Sequence, residues 1–348
     1  MIRSLFKEVK EHLVSPRIEL NKGIKHALVG LFLILALPVS VNAAHHAGEH
    51  KVEPMLTEPV KTVLITGATS GLGLKMTEVL SQNGFLVYAG GRDQDDLDRL
   101  EAMQNVEAIK LDVTSEEDMA GAVKTITAKG RGLYGLINNA GLSIFGPMSE
   151  VPHEQVEFLF DVNVLGPYRV TQAFAPMLIE SKGRLFTTGS IAGSGTSPMM
   201  GQYSMSKHAV EAMVDGWNNE LTRYGIKVGV VEPGNYASNI GNAALARLNS
   251  IGYWGEDTAY PEERKGYFQG LSQVDKGADP LPVAKAALDF MTSDTPKIRY
   301  MVTPNAPQAE RIIRKLMSRV AEQNNDHEHS LDRATLIRLL DEELAKQR

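Results

Sequence analysis

The chain has 348 residues, 43% of them apolar, enough to bury one large core or two modest ones. Its formal charge of −6 is spread over a mixed surface with no long basic run, which argues against nucleic acid as a partner. The absence of cysteine excludes disulfides, thiol catalysis and thiolate metal sites.

At the N-terminus, Arg3, Lys7, Lys10, Arg17, Lys22 and Lys25 precede an apolar run from Ala27 to Val41. That order reads as a signal peptide, and Val41-Asn42-Ala43 offers small residues for cleavage. The run is shorter than the roughly 20 residues of a membrane span, so an uncleaved anchor that associates the protein with a membrane is the second reading. In a third, Met55 starts a cytoplasmic enzyme, because MLTEPVKTVLITG runs directly into the first strand. His45, His46 and His50 follow the apolar run in a polar stretch and read as a solvated linker rather than a metal site. The expected division is a leader and linker at 1–54, one large globular domain at 55–305 and a helical C-terminal extension at 306–348.

Lys61 to Thr66 is a short β-branched run ending at glycine, the pattern of a buried parallel strand. Helix and strand alternate from there. The pattern predicts a helix over Gly71–Asn83, a strand over Phe85–Gly90, a helix over Gln94–Met103 and a strand over Val106–Leu111. A helix over Ser115–Lys129 opens with a cap and three acids, which suit its positive end. A strand at Tyr134–Asn138, one long helix at Pro152–Glu180 and a strand at Arg184–Ser190 come next. The last elements are a helix over Gln202–Tyr224, a strand over Lys227–Glu232, a helix over Pro282–Thr292 and a strand over Ile298–Val302. Seven strands alternating with helices predict an α/β fold with a doubly wound parallel sheet of Rossmann type. Between about 234 and 279 the pattern loosens into a long insertion. Its Tyr236, Ile240, Leu245, Leu248, Tyr253, Trp254, Tyr260, Tyr267 and Phe268 suit a substrate pocket and a plain core equally well. Residues 306–348 read as one or two charged amphipathic helices, a docking or oligomer surface rather than a place for chemistry.

The run Thr66-Gly67-Ala68-Thr69-Ser70-Gly71-Leu72-Gly73 sits where the first strand turns into the first helix. Glycines there let backbone amides approach a pyrophosphate, whose charge the helix N-terminus meets. The end of the second strand chooses between nucleotides. An NAD site places an acid there for the ribose hydroxyl, whereas a 2′-phosphate wants arginine. Gly90-Gly91-Arg92 supplies a guanidinium and no acid, and Asp93 falls past the strand, where it caps the next helix. NADP(H) is therefore favoured as cofactor over NAD(H).

Tyr203 and Lys207 are four apart on a predicted helix and so share a face. A free tyrosine, with a pKa of about 10, is a poor base at neutral pH, and a nearby ammonium lowers that value. Ser190 closes the preceding strand at the sheet edge where such folds bind ligands, and its hydroxyl can meet a substrate oxygen. Asn163 falls inside the long predicted helix, where a buried asparagine answers a polar need. Ser206, His208 and Asp215 do not make a hydrolase triad, because positions two apart on a helix point away from each other.

From about Lys61 to Val302 the chain closely resembles the short-chain dehydrogenase/reductase family, in which these motifs recur in this order. TGATSGLG is similar to its cofactor turn, and Leu111-Asp112-Val113 to its adenine-contacting strand end. Asn138-Asn139-Ala140-Gly141 resembles the motif whose Asn139, Ala140 and Gly141 line the cofactor, and Pro233-Gly234 the loop beside the nicotinamide. The resemblance implies Tyr203 as general acid/base, Lys207 on the nicotinamide ribose and tuning Tyr203, Ser190 positioning the carbonyl, and Asn163 holding a relay water. It departs after Pro233-Gly234, where the family's threonine is replaced by Asn235-Tyr236-Ala237-Ser238, with Ser238 the nearest substitute. VEPGNY after ELTRYG is most similar to the steroid- and retinoid-acting branch, so a lipophilic small-molecule alcohol or ketone is the expected substrate. Homo-oligomers built on the helices at Pro152–Glu180 and Gln202–Tyr224 are expected by the same resemblance. The rival reading is a non-catalytic NADP(H)-binding sensor or scaffold on the same fold.

Overall fold

The computed structural model describes residues 60–271, 273 and 276–347. The basic and apolar leader, its cleavage site, the three histidines and Met55 lie outside the described residues. Among those described, no helix is long and apolar enough to cross a membrane.

The seven expected strands are all present: β1 (Thr62–Ile65), β2 (Leu86–Gly91), β3 (Val106–Lys110), β4 (Gly135–Asn138), β5 (Arg184–Thr188), β6 (Lys227–Pro233) and β7 (Arg299–Val302). They form one parallel sheet in the order β3-β2-β1-β4-β5-β6-β7. The order reverses between β1 and β4, which opens a crevice at their carboxyl ends. Helices cover both faces, as a parallel sheet requires.

On one face, α1 (Gly71–Gln82) brings Met76 and Leu80 against the strands, under a layer that includes Phe186 and Phe290. Those two rings stack at 4.3 Å between centroids. On the other face lie α3 (Glu116–Lys129, after the short α2, Gln94–Glu101), α5 (Gly166–Ser181) and α6 (Gly201–Leu221). They bury Ile126, Phe174, Leu178, Val210 and Val214 against Leu64, Leu136 and Val228. Each such apolar side chain contributes about 1.5–3 kcal/mol. The acids of α3 stand in its first turn behind the cap from Ser115, and Asp93 caps α2 by accepting from the amides of Asp95 and Asp96.

The one long helix expected at Pro152–Glu180 is instead α4 (His153–Phe160), a π turn at Asp161–Leu165, and α5. Pro167 falls just after the π turn and has no N–H for the carbonyl of Asn163 four residues back, so one α-helical bond is missing at this point. The loosened stretch after Gly234 holds two helices, α7 (Ile240–Ile251) and α8 (Pro261–Leu271). Beyond them α9 (Leu281–Thr292) leads into β7, and the C-terminal extension forms α10 (Ala306–Gln323) and α11 (Arg333–Lys346).

Candidate active site

The carboxyl ends of β1 to β6 and the turns that follow them open on one cleft of about 1580 Å³. Ligand sites commonly measure roughly 300–1,000 Å³, so a dinucleotide and a substrate can share it. Every residue singled out in the sequence for cofactor or catalysis lines this cleft except Asn163.

The turn after β1 has the shape of a cradle. Gly67 takes a φ of +63°, and a Cβ there would sit 2.9 Å from the Cα of Ala140. At Gly73 a Cβ would overlap the Gly67 carbonyl oxygen. Asn139 ties the cradle to β4, its amide donating to the carbonyls of Thr66 and Gly67 at 3.0 Å each. Thr66 returns the tie, its hydroxyl accepting from the backbone amides of Asn139 and Ala140. The first N–H groups of α1 have no partner within the helix, and Ser70 in front of them makes no side-chain cap. Only glycines leave room here for a phosphate to reach those donors, so the site fits a dinucleotide.

At the next two strand ends, the Arg92 guanidinium is 74% exposed and lies 3.6 Å from Asp112. Burial would raise the Asp112 carboxyl, but hydrogen bonds from Thr114 and the charge of Arg92 hold it below the usual carboxylate range. Arg99 on α2, which no sequence motif marked, also lines the cleft and donates to the Thr69 carbonyl at 2.8 Å. Ser238, in the place of the family's threonine, packs against the phosphate turn, where a Cβ on Gly71 would touch it.

At the far end of the cleft, Ser190 and Tyr203 stand together, and Lys207 lies one helical turn behind Tyr203. The Ser190 hydroxyl accepts from the amide of Ala192 at 3.1 Å, which fixes its rotamer. Lys207 is buried, donates to the Thr188 carbonyl at 2.9 Å and stands 5.8 Å from the Tyr203 ring centroid. Burial pushes the Lys207 ammonium down to about 8, against the opposing charge of Glu211. The expected lowering of Tyr203 is not present in the protein alone. Burial pushes its phenol up, and a hydrogen bond with Ser190 offsets only part of this.

Asn163 sits behind the cleft wall, at the π turn. Its side chain accepts from the amide of Leu142 at 2.8 Å and donates to the Leu142 carbonyl at 2.9 Å and to Ser206 at 3.1 Å. Ser206 in turn donates to the Tyr203 carbonyl, while Asp215 pairs with Arg299, so no hydrolase triad assembles. The aromatic insertion divides between the two roles open to it. Tyr253 and Trp254 are buried with Leu248 and Phe145 in a core that backs the cleft, and Tyr236, Ile240 and Tyr267 line the cleft itself with Leu142, Phe145 and Met200.

The extension contributes to the site as well. Gln308 on α10 is 6% exposed and accepts from the amide of Asn235 at 3.0 Å, and a Cβ on Gly234 would collide with it. Arg311, Ile312 and Lys315 of the same helix line the cleft. An oligomer surface alone does not account for α10. Nothing in its charged, amphipathic pattern pointed to the loop after β6.

Comparison with known proteins agrees with this geometry. The profile of the short chain dehydrogenases matches residues 61–248. The uncharacterized oxidoreductase YbbO of Escherichia coli K12 is 39% identical over 189 residues, 53% of this chain and 70% of that protein. An NADPH-dependent 3-dehydrocapnine reductase of Ornithobacterium rhinotracheale is 31% identical over 255 residues, 70% of this chain and 89% of the other. Among solved structures, a short-chain dehydrogenase from Streptomyces avermitilis superposes with a TM-score of 0.64 at 27% identity, covering 78% of this chain and 100% of that one. The matched span takes in the glycine turn, the Asn139 tie and the Ser190–Tyr203–Lys207 group, and on that ground the chain belongs to the short-chain dehydrogenases, oxidoreductases that act on CH–OH groups with NAD(P)(H).

Proposed function

We propose that the protein interconverts a lipophilic alcohol and its ketone or aldehyde with NADP(H), Tyr203 acting as the general acid and base. The observation that carries this is the meeting of Ser190, Tyr203 and Lys207 at the end of a cleft walled by Leu142, Phe145, Met200, Ile240 and Tyr267. The turn from Gly67 to Gly73, with Thr69, Ser70 and Leu72, would hold the pyrophosphate. Arg92 with Arg99 would hold the 2′-phosphate, Asp112 and Val113 the adenine side, and Asn139, Ala140, Gly141, Pro233 and Gly234 the nicotinamide half. NAD(H), which lacks the phosphate, is the weaker ligand in this reading.

Bound cofactor supplies the hydride in reduction and accepts it in oxidation. Tyr203 gives its phenolic proton to the carbonyl oxygen as negative charge grows there, and Ser190 donates a hydrogen bond to the same oxygen. The Lys207 cation stabilises the phenolate left on Tyr203. Because burial holds the phenol up in the protein alone, Tyr203 is well suited to keep a proton for reduction. Asn163 holds the Leu142 wall in place with both of its amide donors engaged, and a relay water would fall to its backbone carbonyl.

The test is turnover of a panel of ketones and aldehydes of increasing chain length with NADPH and NADH, on the wild type and Tyr203→Phe. The expected result is a preference for longer apolar carbonyls and a loss of about 10²–10⁴-fold in kcat for the variant, with NADPH binding by fluorescence intact. Wild-type turnover surviving in Tyr203→Phe overturns the mechanism. Tight NADPH binding with no turnover on any carbonyl favours the sensor reading.

A further inference from the structure

One helical turn beyond Lys207, two carboxyl groups that the reaction does not use are buried together. The side chains of Glu211 on α6 and Glu232 on β6 are 12% and 8% exposed. Both lie against Nε of Arg299, and Oε1 of Glu211 is buried with no hydrogen-bond partner among the described residues. A proton held on one carboxyl and shared with the other gives that oxygen its hydrogen bond.

The charges around the pair can be followed element by element. From β7, Nε of Arg299 lies 3.2 Å from Glu211 and 3.8 Å from Glu232, and its Nη2 lies 2.7 Å from Asp215, a turn further along α6. Asp215 is half exposed, so the buried charges at issue are those of Glu211 and Glu232, and ionising both sets two buried carboxylates against one shared guanidinium. From α10, Arg319 lines the same small cavity of about 340 Å³ with Gly193, Glu211, Glu232 and Arg299. On the side of the reaction stands Lys207, whose charge Glu211 supports. Two glycines make the space: a Cβ on Gly189 would lie 2.7 Å from the Glu211 carboxyl and one on Gly193 would lie 3.2 Å from it. Gly189 directly precedes Ser190, so the Glu211 side chain packs beneath the turn that carries a proposed catalytic hydroxyl.

We propose that Glu211 and Glu232 hold one proton between them, and that its release to solvent leaves a carboxylate on Glu211 that keeps the Lys207 ammonium charged as the pH rises. This rests on the reading of Tyr203 and Lys207 as the catalytic pair, and it makes Glu211 a positioning residue that acts through Lys207. The placement supports it: Glu211 stands one turn from Lys207 on α6 and beneath the turn that precedes Ser190. Burial and the charge of Glu232 push Glu211 up, against Arg299, while burial pushes Lys207 down and the charge of Glu211 opposes that. A carboxylate formed on Glu211 therefore opposes loss of the Lys207 proton in the range where alcohol oxidation needs Tyr203 as a base.

The experiment is the pH profile of alcohol oxidation with NADP⁺, using an alcohol the wild type turns over, for Glu211→Gln and Glu232→Gln, with thermal melting to confirm folding. In Glu211→Gln the carboxylate cannot form, so the alkaline limb moves to lower pH by about one unit. In Glu232→Gln the Glu211 carboxylate forms more easily, so the limb stays in place or moves up. A Glu211→Gln enzyme slowed equally at every pH with its limb unmoved, or a downward shift in Glu232→Gln, overturns the proposal. Retained turnover in Tyr203→Phe is a different result, which removes the catalytic reading beneath it.

Discussion

The Arg92 guanidinium and the Asp112 carboxylate are 3.6 Å apart with the arginine largely in solvent, and such a pair is worth only about 0.2–1 kcal/mol. A 2′-phosphate offers Arg92 a stronger, doubly charged partner at little cost to the protein. Arg99 adds a second guanidinium at the rim, already oriented by the Thr69 carbonyl and by Asp96, 2.8 Å away. Arg92→Ala is accordingly expected to weaken NADPH about 10- to 100-fold, the worth of a charge-assisted hydrogen bond or two. NADH, with no phosphate to lose, should change by less than about twofold if exposed-pair energies of a few tenths of a kcal/mol are all that is removed. Titration calorimetry with both nucleotides gives the answer, and equal losses would refute the assignment of Arg92.

At the scale of elements, the π turn between α4 and α5 is the irregularity closest to the chemistry. Asn163 sits in it and spends its amide on both backbone groups of Leu142, the residue that starts the apolar wall of the cleft. Asn163→Ala leaves the Leu142 N–H and C=O without partners, at about 1–3 kcal/mol of stability. The same change frees the wall, so KM for the carbonyl substrate should rise while the Kd for NADPH, measured without substrate, holds steady. A variant with native melting temperature and native KM would contradict this. The strands and the caps of α2 and α3 were legible in the sequence, since buried β-branched runs and side chains such as Asp93 and Ser115 act within a few residues. The π turn was not, because apolar periodicity continues through a single extra residue, and proline alone does not mark it: Pro176 sits inside the unbroken helix that follows.

For the whole molecule, the same contrast separates the site's two ends. The glycine turn, Arg92 and Ser190 could be located at the cleft beforehand because each directly follows a strand of the sheet, whose carboxyl edge is where such folds bind ligands, and Tyr203 and Lys207 because they share one face of the next helix. The Gln308 contact could not, because it joins residues 73 positions apart and its helix carries no motif. In the folded chain, α10 buries Gln308 and Ile312 and reaches the Asn235 amide, whereas α11 buries none of its residues and leaves Ile337, Leu340 and Leu344 exposed. The two C-terminal helices should therefore separate by truncation. Ending the chain after Gln323 removes α11 and should leave the melting temperature and the KM for NADPH as they are, since surface segments with no buried side chain contribute little. Ending it after Asn305 removes Gln308 as well, leaving the amide of Asn235 unpaired and the Pro233–Gly234 loop without its backing. That shorter chain should melt at lower temperature and bind NADPH more weakly, and Gln308→Ala in the full-length protein should reproduce the loss of affinity with a smaller change in melting. If Gln308→Ala binds NADPH as tightly as the wild type, α10 serves the fold alone and the Pro233–Gly234 loop holds its shape without it.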